Sequence, residues 1–518
     1  MQTKQEVTNI REVQLGFLKI KNSIGTFQDG FSRFVNITLK LLFLLIVFTT
    51  YDELKDQYKD VEKQGLYFIV FFLLCGLVTY IALKKNIKTN KILVAIITFS
   101  LIIRLIWIWS IDSIPVSDFA GMYERSQLVL EGDYYIFKGN HYYARFPHLT
   151  IIVLYFAVIR RFFTYPLITI KIINVLCSTV SVILIYFIVK EVFGSKVKGI
   201  WASFIAAIYP PIILYTAVYC GENMAIPFYL LSVYFFILVI KGKKPLKFLF
   251  FSALSLTIGN FFRMVAPVVV IAYIMYLLIY FEKSIKEKAV AIIYIVGAFI
   301  IPLILVSTLL RVSTITEFNL WKGSESSWTS ILKGTNFDSW GRWNEEDARI
   351  VDKYNDDYED IENACKEIVK ERLTTASYRQ LAEFYIRKYT GQWRNGDFSG
   401  VFWATLDLEE EGIRLNLFEN SDMYNQLMYV IVITTTYIGL FNKRQYLKNK
   451  LVNLFYFIFC GYGLLFLITE SQDRYSFIVC WLFLILPFSI FEGNKFFPFA
   501  KKLEEEKIST YSNEKVIS

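Results

Sequence analysis

The sequence predicts an all-α polytopic membrane protein with about twelve transmembrane helices. Three observations predict it. Apolar residues make up 55% of 518, and the mean hydropathy is +0.42, more apolar surface than a soluble chain of this size carries. They are gathered into blocks of about twenty, the length at which a helix rising ~1.5 Å per residue crosses about 30 Å of hydrocarbon. Lys and Arg collect in short loops between alternate blocks, as the positive-inside rule requires.

Taken in order, residues 1–34 are polar and mixed, so no cleavable leader is expected and the first span serves as the insertion signal. This segment is expected in the cytoplasm. Runs at 35–50, 66–83 and 92–110 form the first three spans, within 35–110. A transmembrane core at 165–309 takes runs 165–189, 199–218, 223–240, 246–262, 265–281 and 289–309. Runs at 425–441, 451–469 and 475–491 complete the C-terminal block 425–491, ahead of a cytoplasmic tail at 492–518. Loops 84–91, 190–198, 241–247, 282–288 and 441–450 are basic and fall inside, so both termini are cytoplasmic.

That alternation holds only if 149–163 does not cross. The segment has about eleven uninterrupted apolar residues before Arg160 and Arg161, short for a crossing and suited to an interfacial helix. A short true span ending at the Arg pair stays open. Two regions then face outward: the loop 111–164, with juxtamembrane helices, and a mostly helical domain at 310–424 whose helical stretch runs from Asp347 to Tyr389.

A formal charge of +9 would point to nucleic acid in a soluble protein, but here it reports topology, so no nucleic-acid partner is expected. The 6 cysteines have neither metal nor redox spacing and form no disulfide framework. His141 and His148, the two histidines, read as hydrogen-bonding loop residues rather than a metal site. Glu345, Glu346 and Asp347 could gather a hard cation, though consecutive helical carboxylates fan apart and a solvated face fits better. No cofactor is expected, with a divalent cation left open.

Polar residues recur at the outer ends of separate spans: Asp118, Glu222, Arg263, and Arg474 with Glu470 and Asp473. Ionisable groups this close to hydrocarbon pair or line a cavity. A guanidinium forks onto phosphate oxygens and keeps its charge, so Arg263 or Arg474 suits a lipid phosphate. A carboxylate beside that phosphate can take a proton from an incoming hydroxyl or amine. Simpler readings stand beside these. Asp118 can cap a helix starting there, Arg263 can snorkel, Arg474 can pair with Glu470 or Asp473, and Glu222 can cap the sixth span. Asp112 is a rival acid that a solvated span end explains, and Arg104, inside the third span, calls for an interior structural partner.

Four stretches carry a family resemblance. They are Pro115-Val-Ser-Asp-Phe-Ala-Gly-Met-Tyr-Glu-Arg-Ser-Gln127 with Gly132-Asp-Tyr-Tyr-Ile-Phe137 and Arg145-Phe-Pro-His148; Ile208-Tyr-Pro-Pro-Ile-Ile-Leu-Tyr215 through Glu222; Gly259-Asn-Phe-Phe-Arg-Met-Val-Ala-Pro267; and Asp473-Arg-Tyr-Ser476. In their order along the chain they resemble membrane glycosyltransferases of the type C fold, in the family 39 group of protein O-mannosyltransferases and lipid A aminoarabinose transferase. The resemblance implies a multi-pass cell-membrane enzyme with its site on the extracytoplasmic face, using a polyprenyl-phosphate sugar. It implies Asp118 as general base and Arg263 as phosphate ligand, with Arg474 a second ligand. Arg145 stands in for a lysine that some members place before the interfacial proline. Tyr123, Glu124, Glu222 and Tyr475 are the candidates for contact with acceptor or sugar. A single displacement would invert the anomeric centre.

The chain departs from that family in carrying two spans before the one leading into the catalytic loop, and its 310–424 segment matches neither named enzyme. The acceptor is therefore a cell-envelope polymer, lipid or protein, and the Lys, Ile, Asn, Phe and Tyr bias points to a bacterial envelope. The alternative class is a transporter or flippase of lipid-linked saccharides, which calls for internal repeats and interrupted helices; the sequence displays neither. A non-catalytic receptor is the third.

Overall fold

A computed structural model describes residues 2–58, 63–354, 357–419 and 421–491. Among the described residues there is no strand, only the isolated bridges Ile111 to Ile413 and Asn319 to Lys322. Such an all-helical backbone satisfies its own polar groups, which hydrocarbon demands. In chain order the helices are α1 (Gln2–Tyr58), α2 (Lys63–Lys84), α3 (Thr89–Ser110), α4 (Ser117–Leu130), α5 (Tyr142–Arg145), α6 (Thr150–Phe162), α7 (Pro166–Phe193), α8 (Lys196–Ile208) and α9 (Pro210–Leu214). Then come α10 (Glu222–Ile240), α11 (Leu249–Phe262), α12 (Pro267–Tyr280), α13 (Ile285–Val312), α14 (Trp328–Gly334), α15 (Glu345–Ala348), α16 (Ile350–Lys353), α17 (Tyr358–Thr375) and α18 (Tyr378–Gln392). α19 (Gly400–Thr405), α20 (Asp422–Gly439), α21 (Lys443–Lys448) and α22 (Val452–Ile468) precede two tighter 3-10 segments, Asp473–Leu484 and Leu486–Phe491.

Seven helical stretches among the described residues are long and apolar enough to cross a membrane, or up to nine if each of two bent pairs is one span. The twelve runs read from hydropathy are therefore not all full-length spans. Those at 246–262, 265–281 and 451–469 form the shorter apolar helices Leu246–Phe262, Pro267–Tyr280 and Val452–Ile468. At ~1.5 Å per residue, α12 with its 14 residues reaches only about 21 Å of the roughly 30 Å of hydrocarbon. The final run is wound as a 3-10 helix, whose ~2.0 Å rise covers more depth per residue.

The run 199–218, expected as one straight span, is interrupted: α8 and the α9 segment meet at 59°. Pro210 and Pro211 lack the N–H groups that would bond to the carbonyls of Ala206 and Ala207. Arg104 of α3 supplies the missing donors. Its Nη1 donates to Ala207 O at 3.1 Å and its Nη2 to Ala206 O at 3.3 Å, while Nε donates to Ser178 Oγ at 2.7 Å. Tyr424 Oη donates to Ile208 O at 2.6 Å and Ser178 Oγ to Ile212 O at 2.5 Å. The break is thus filled by side chains from three other helices, and Arg104 has the interior structural partners its position called for.

α6 is a 13-residue helix packed against α4, with Val158 and Phe162 exposed on its other side. It meets the segment Tyr135–Arg145 at 111°. The 310–424 segment has a core of its own, where Leu332, Ile350, Ile361, Cys365 and Val369 join α14, α16 and α17. The helical stretch expected from Asp347 to Tyr389 comprises α16, α17, most of α18 and the end of α15. Asp347 is held there by Arg372 at 2.8 and 3.0 Å and by Asn336 at 3.0 Å and so braces the domain, whereas Glu345 pairs with Arg349 on the solvated surface. Among the described residues no group of three His, Cys, Asp or Glu is placed to hold a metal ion.

Candidate active site

The chain leaving α3 is pinned before it reaches Asp118. Ser113 O accepts from Tyr219 Oη at 2.8 Å, Ser113 Oγ donates to Ala217 O at 2.7 Å, and Lys171 Nζ donates to Ile111 O at 3.1 Å. Asp112, the rival acid, is paired with Arg414 at 2.6 Å. Ser117 then takes a left-handed φ of 51°, a strained conformation for a residue with a Cβ. Asp118 follows in the first turn of α4, exposed, and it is not the cap: the N-cap is Val116, with no side-chain cap hydrogen bond. Its Oδ1 accepts instead from Tyr142 Oη at 3.1 Å. Partial burial, then the adjacent Asp118 carboxylate, hold the Tyr142 phenol well above its ordinary pKa, so it remains a donor.

Phe119, the next residue, walls the guanidinium of Arg474. That group lies 4.8 Å from the Phe119 ring centroid, 4.9 Å from Trp403 of α19 and 5.7 Å from Tyr475. Phe119 and Trp403 meet edge to face at 5.6 Å. Arg474 is 8% exposed, has no carboxylate within 4.0 Å among the described residues, and its buried Nε meets no acceptor. The expected alternative partners are engaged elsewhere. Glu470 accepts from Tyr475 Oη at 2.9 Å and pairs with Lys333 at 3.2 Å. Asp473 pairs with Arg342 at 3.2 Å and accepts from Asn395 at 2.6 Å. The reading of Arg474 as half of a surface ion pair is therefore corrected. Aromatic faces compensate part of the loss of water around a buried cation, and an anion would compensate the rest.

Arg263 follows the last residue of α11, and its guanidinium lies 5.1 Å from the other side of the cluster, the Tyr475 ring. Nε approaches Glu222 Oε1 at 3.4 Å, yet neither atom makes a hydrogen bond among the described residues. Gly221 makes that meeting of α10 and α11 close, since a Cβ there would stand 2.3 Å from Phe262 O. His148 is in electrostatic range of Arg263; burial first and that guanidinium second lower its imidazole to about 4.

The structure thus gathers Glu222, Arg263, Arg474 and Tyr475, and Asp118 joins them through its chain neighbour Phe119, whose ring faces Arg474. Arg145 has a different engagement: Nε donates to Glu325 Oε2 at 2.6 Å and a second nitrogen lies at 2.5 Å, fastening α5 to the 310–424 domain. Tyr123 packs between α4 and α6, with Arg160 4.8 Å above its ring, and its carbonyl accepts from Arg160 Nη1 at 2.8 Å. Glu124 is exposed on α4. Sequence reading missed Tyr142, Phe119 and Trp403 as site residues; two of the three lie in or near the stretch that carries the resemblance, whereas nothing in the sequence around Trp403 points to Arg474.

Residues 145–310 match the dolichyl-phosphate-mannose-protein mannosyltransferase family. The stretch similar to the mannosyltransferases includes Arg145, Glu222 and Arg263 and is less than half of the chain; Asp118 and Arg474 lie outside it. No curated protein and no solved structure matches the chain. Together with the apolar helices, the match to the mannosyltransferases supports a multi-pass membrane glycosyltransferase of the type C group.

Proposed function

We propose that this protein transfers a sugar from a polyprenyl phosphate to an extracytoplasmic acceptor, with inversion at the anomeric carbon. Arg474 holds the donor phosphate, with Arg263 beside it, and Asp118 takes the proton of the acceptor's hydroxyl or amine. The nucleophile forms its bond to the anomeric carbon as the carbon's bond to the phosphate oxygen breaks, and the departing electron pair settles on that oxygen under the guanidinium. Tyr142 orients the base and Glu222 holds Arg263. In this reading both termini are cytoplasmic, about twelve helical segments share the membrane, and 111–164 with 310–424 form the outer face.

The observation that carries the reading is the Arg474 guanidinium, buried among three rings with Glu222 in electrostatic range but no carboxylate within 4.0 Å among the described residues, and walled by the residue that follows Asp118. The test is transfer from a panel of labelled polyprenyl-phosphate sugars to envelope acceptors in membranes containing wild-type or Asp118→Asn protein. Loss of transfer by at least ~10²-fold with an unchanged melting midpoint supports the assignment. Full transfer by D118N refutes it.

A further inference from the structure

Beyond the proposed reaction site lies a cavity of about 340 Å³ between the end of α18, the turn at 471–473 and Thr49 of α1. Its charged lining comprises Arg342, Arg387, Lys388 and Arg394 against one acid, Asp473. Gln392, also lining it, is 3% exposed, and its Nε2 is a buried donor that meets no acceptor among the described residues. An acceptor oxygen would complete it, and the guanidinium groups of Arg342, Arg387 and Arg394 around it favour one carried by an anion.

The three guanidinium groups are only partly used by the protein, whereas Lys388 has no donor left over. Arg342 pairs with Asp473 at 3.2 Å, Arg394 with Glu53 and, at 3.5 Å, with Asp56, and Arg387 with Glu383 at 2.8 Å while lying 4.6 Å from the Trp340 ring centroid. Lys388 donates to the carbonyls of Gly334, Leu467 and Thr469 at 2.5, 2.9 and 2.8 Å. A guanidinium carries five N–H donors, and one carboxylate takes two at most, so donors remain for a further group. Phosphate, with several oxygens on one small centre, matches converging guanidinium forks.

Thr49 of α1 lines the cavity, and its helix neighbours Phe48 and Tyr51 are 64% and 54% exposed, an apolar surface of the kind that acyl chains cover. We propose that this cavity binds the phosphate of an anionic lipid headgroup, separately from the donor phosphate, with the lipid's chains lying along α1. The site rests on α1 spanning the membrane and not on the role of Asp118.

The full chain in neutral detergent is titrated calorimetrically with inorganic phosphate and with a short-chain phosphatidate, and the variants Arg387→Ala, Gln392→Met and Arg474→Met are compared. Wild type and R474M should bind the phosphatidate about tenfold or more tightly than inorganic phosphate, and R387A and Q392M should each lose at least about tenfold. Arg387 is an exposed side chain, so R387A carries the test even where Q392M fails to fold. Unchanged affinity in R387A overturns the site. Equal affinity for phosphate and phosphatidate overturns its assignment to a lipid. Loss of binding in R474M would mean that the donor site was being titrated, and that too overturns the proposal, whereas loss of transfer alone in that variant leaves it standing.

Discussion

Replacing Arg474 by Met separates a phosphate ligand from a structural arginine. Met nearly fills the same volume, and its thioether suits the walls provided by Phe119, Trp403 and Tyr475. The substitution gives up cation–π contacts of about 0.5–2 kcal/mol each. It also removes a cation that is 8% exposed, has no carboxylate within 4.0 Å among the described residues and only Glu222 in electrostatic range, and whose desolvation penalty is several kcal/mol. These terms oppose each other, so the fold should change by no more than about 1–2 kcal/mol in either direction. Catalysis has no such compensation: loss of charge-assisted bonds to a departing phosphate raises the barrier by about 3–4 kcal/mol, a fall of roughly 10²–10³ in rate. The assay is label transfer from the polyprenyl-phosphate sugar panel in membranes, alongside the thermal midpoint of the purified protein. A variant that unfolds with its activity per folded molecule intact would refute the reasoning, as would one that folds and transfers normally.

Tyr142→Phe should lower kcat about tenfold with little change in donor KM, because it removes the one side-chain hydrogen bond seen on Asp118 among the described residues and leaves the phosphate ligands in place; a KM effect alone would argue against a positioning role. Arg104→Ala should destabilise the protein by about 3–5 kcal/mol, measured as a drop in thermal midpoint, since it strands the carbonyls of Ala206 and Ala207 in the span region. His148 makes folding sensitive to acid. Its pKa is about 4 in the fold and about 6.5 when unfolded, so the unfolded chain binds more protons in that window and stability falls as pH drops from about 6.5 toward 4. The full difference is about 3 kcal/mol, and His148→Asn should lose that part of the acid sensitivity; equal pH profiles for both proteins would contradict the assignment.

Hydropathy and charge placed the apolar segments because both are local sums along the chain, and hydrocarbon thickness sets one length for all of them. They misjudged what lies inside a segment. Pro210 and Pro211 interrupt a run that is apolar throughout, and whether such a break survives depends on donors from elsewhere, here Arg104 and Tyr424. The shorter helices, α12 among them, read as spans for the same reason: composition reports where a segment is apolar and is silent on how deep its helix reaches.

At the candidate site, Asp118, Glu222, Arg263 and Arg474 were legible because charges beside long apolar runs stand out by their expense. Their partners were not. Arg474 lies beside Glu470 and Asp473 in sequence, yet those acids turn to Lys333 and Arg342 of the 310–424 domain, leaving the guanidinium to rings from positions 119, 403 and 475. Arg145 likewise had the right chemistry for phosphate, and Glu325 took it. The sequence by itself determined the membrane class, the places where the chain is apolar and the residue types able to bear charge near its edges. Only the tertiary structure decided which charges neutralise one another and which stay open for a ligand, because that depends on side chains brought within a few ångströms across hundreds of residues, a distance no local pattern records.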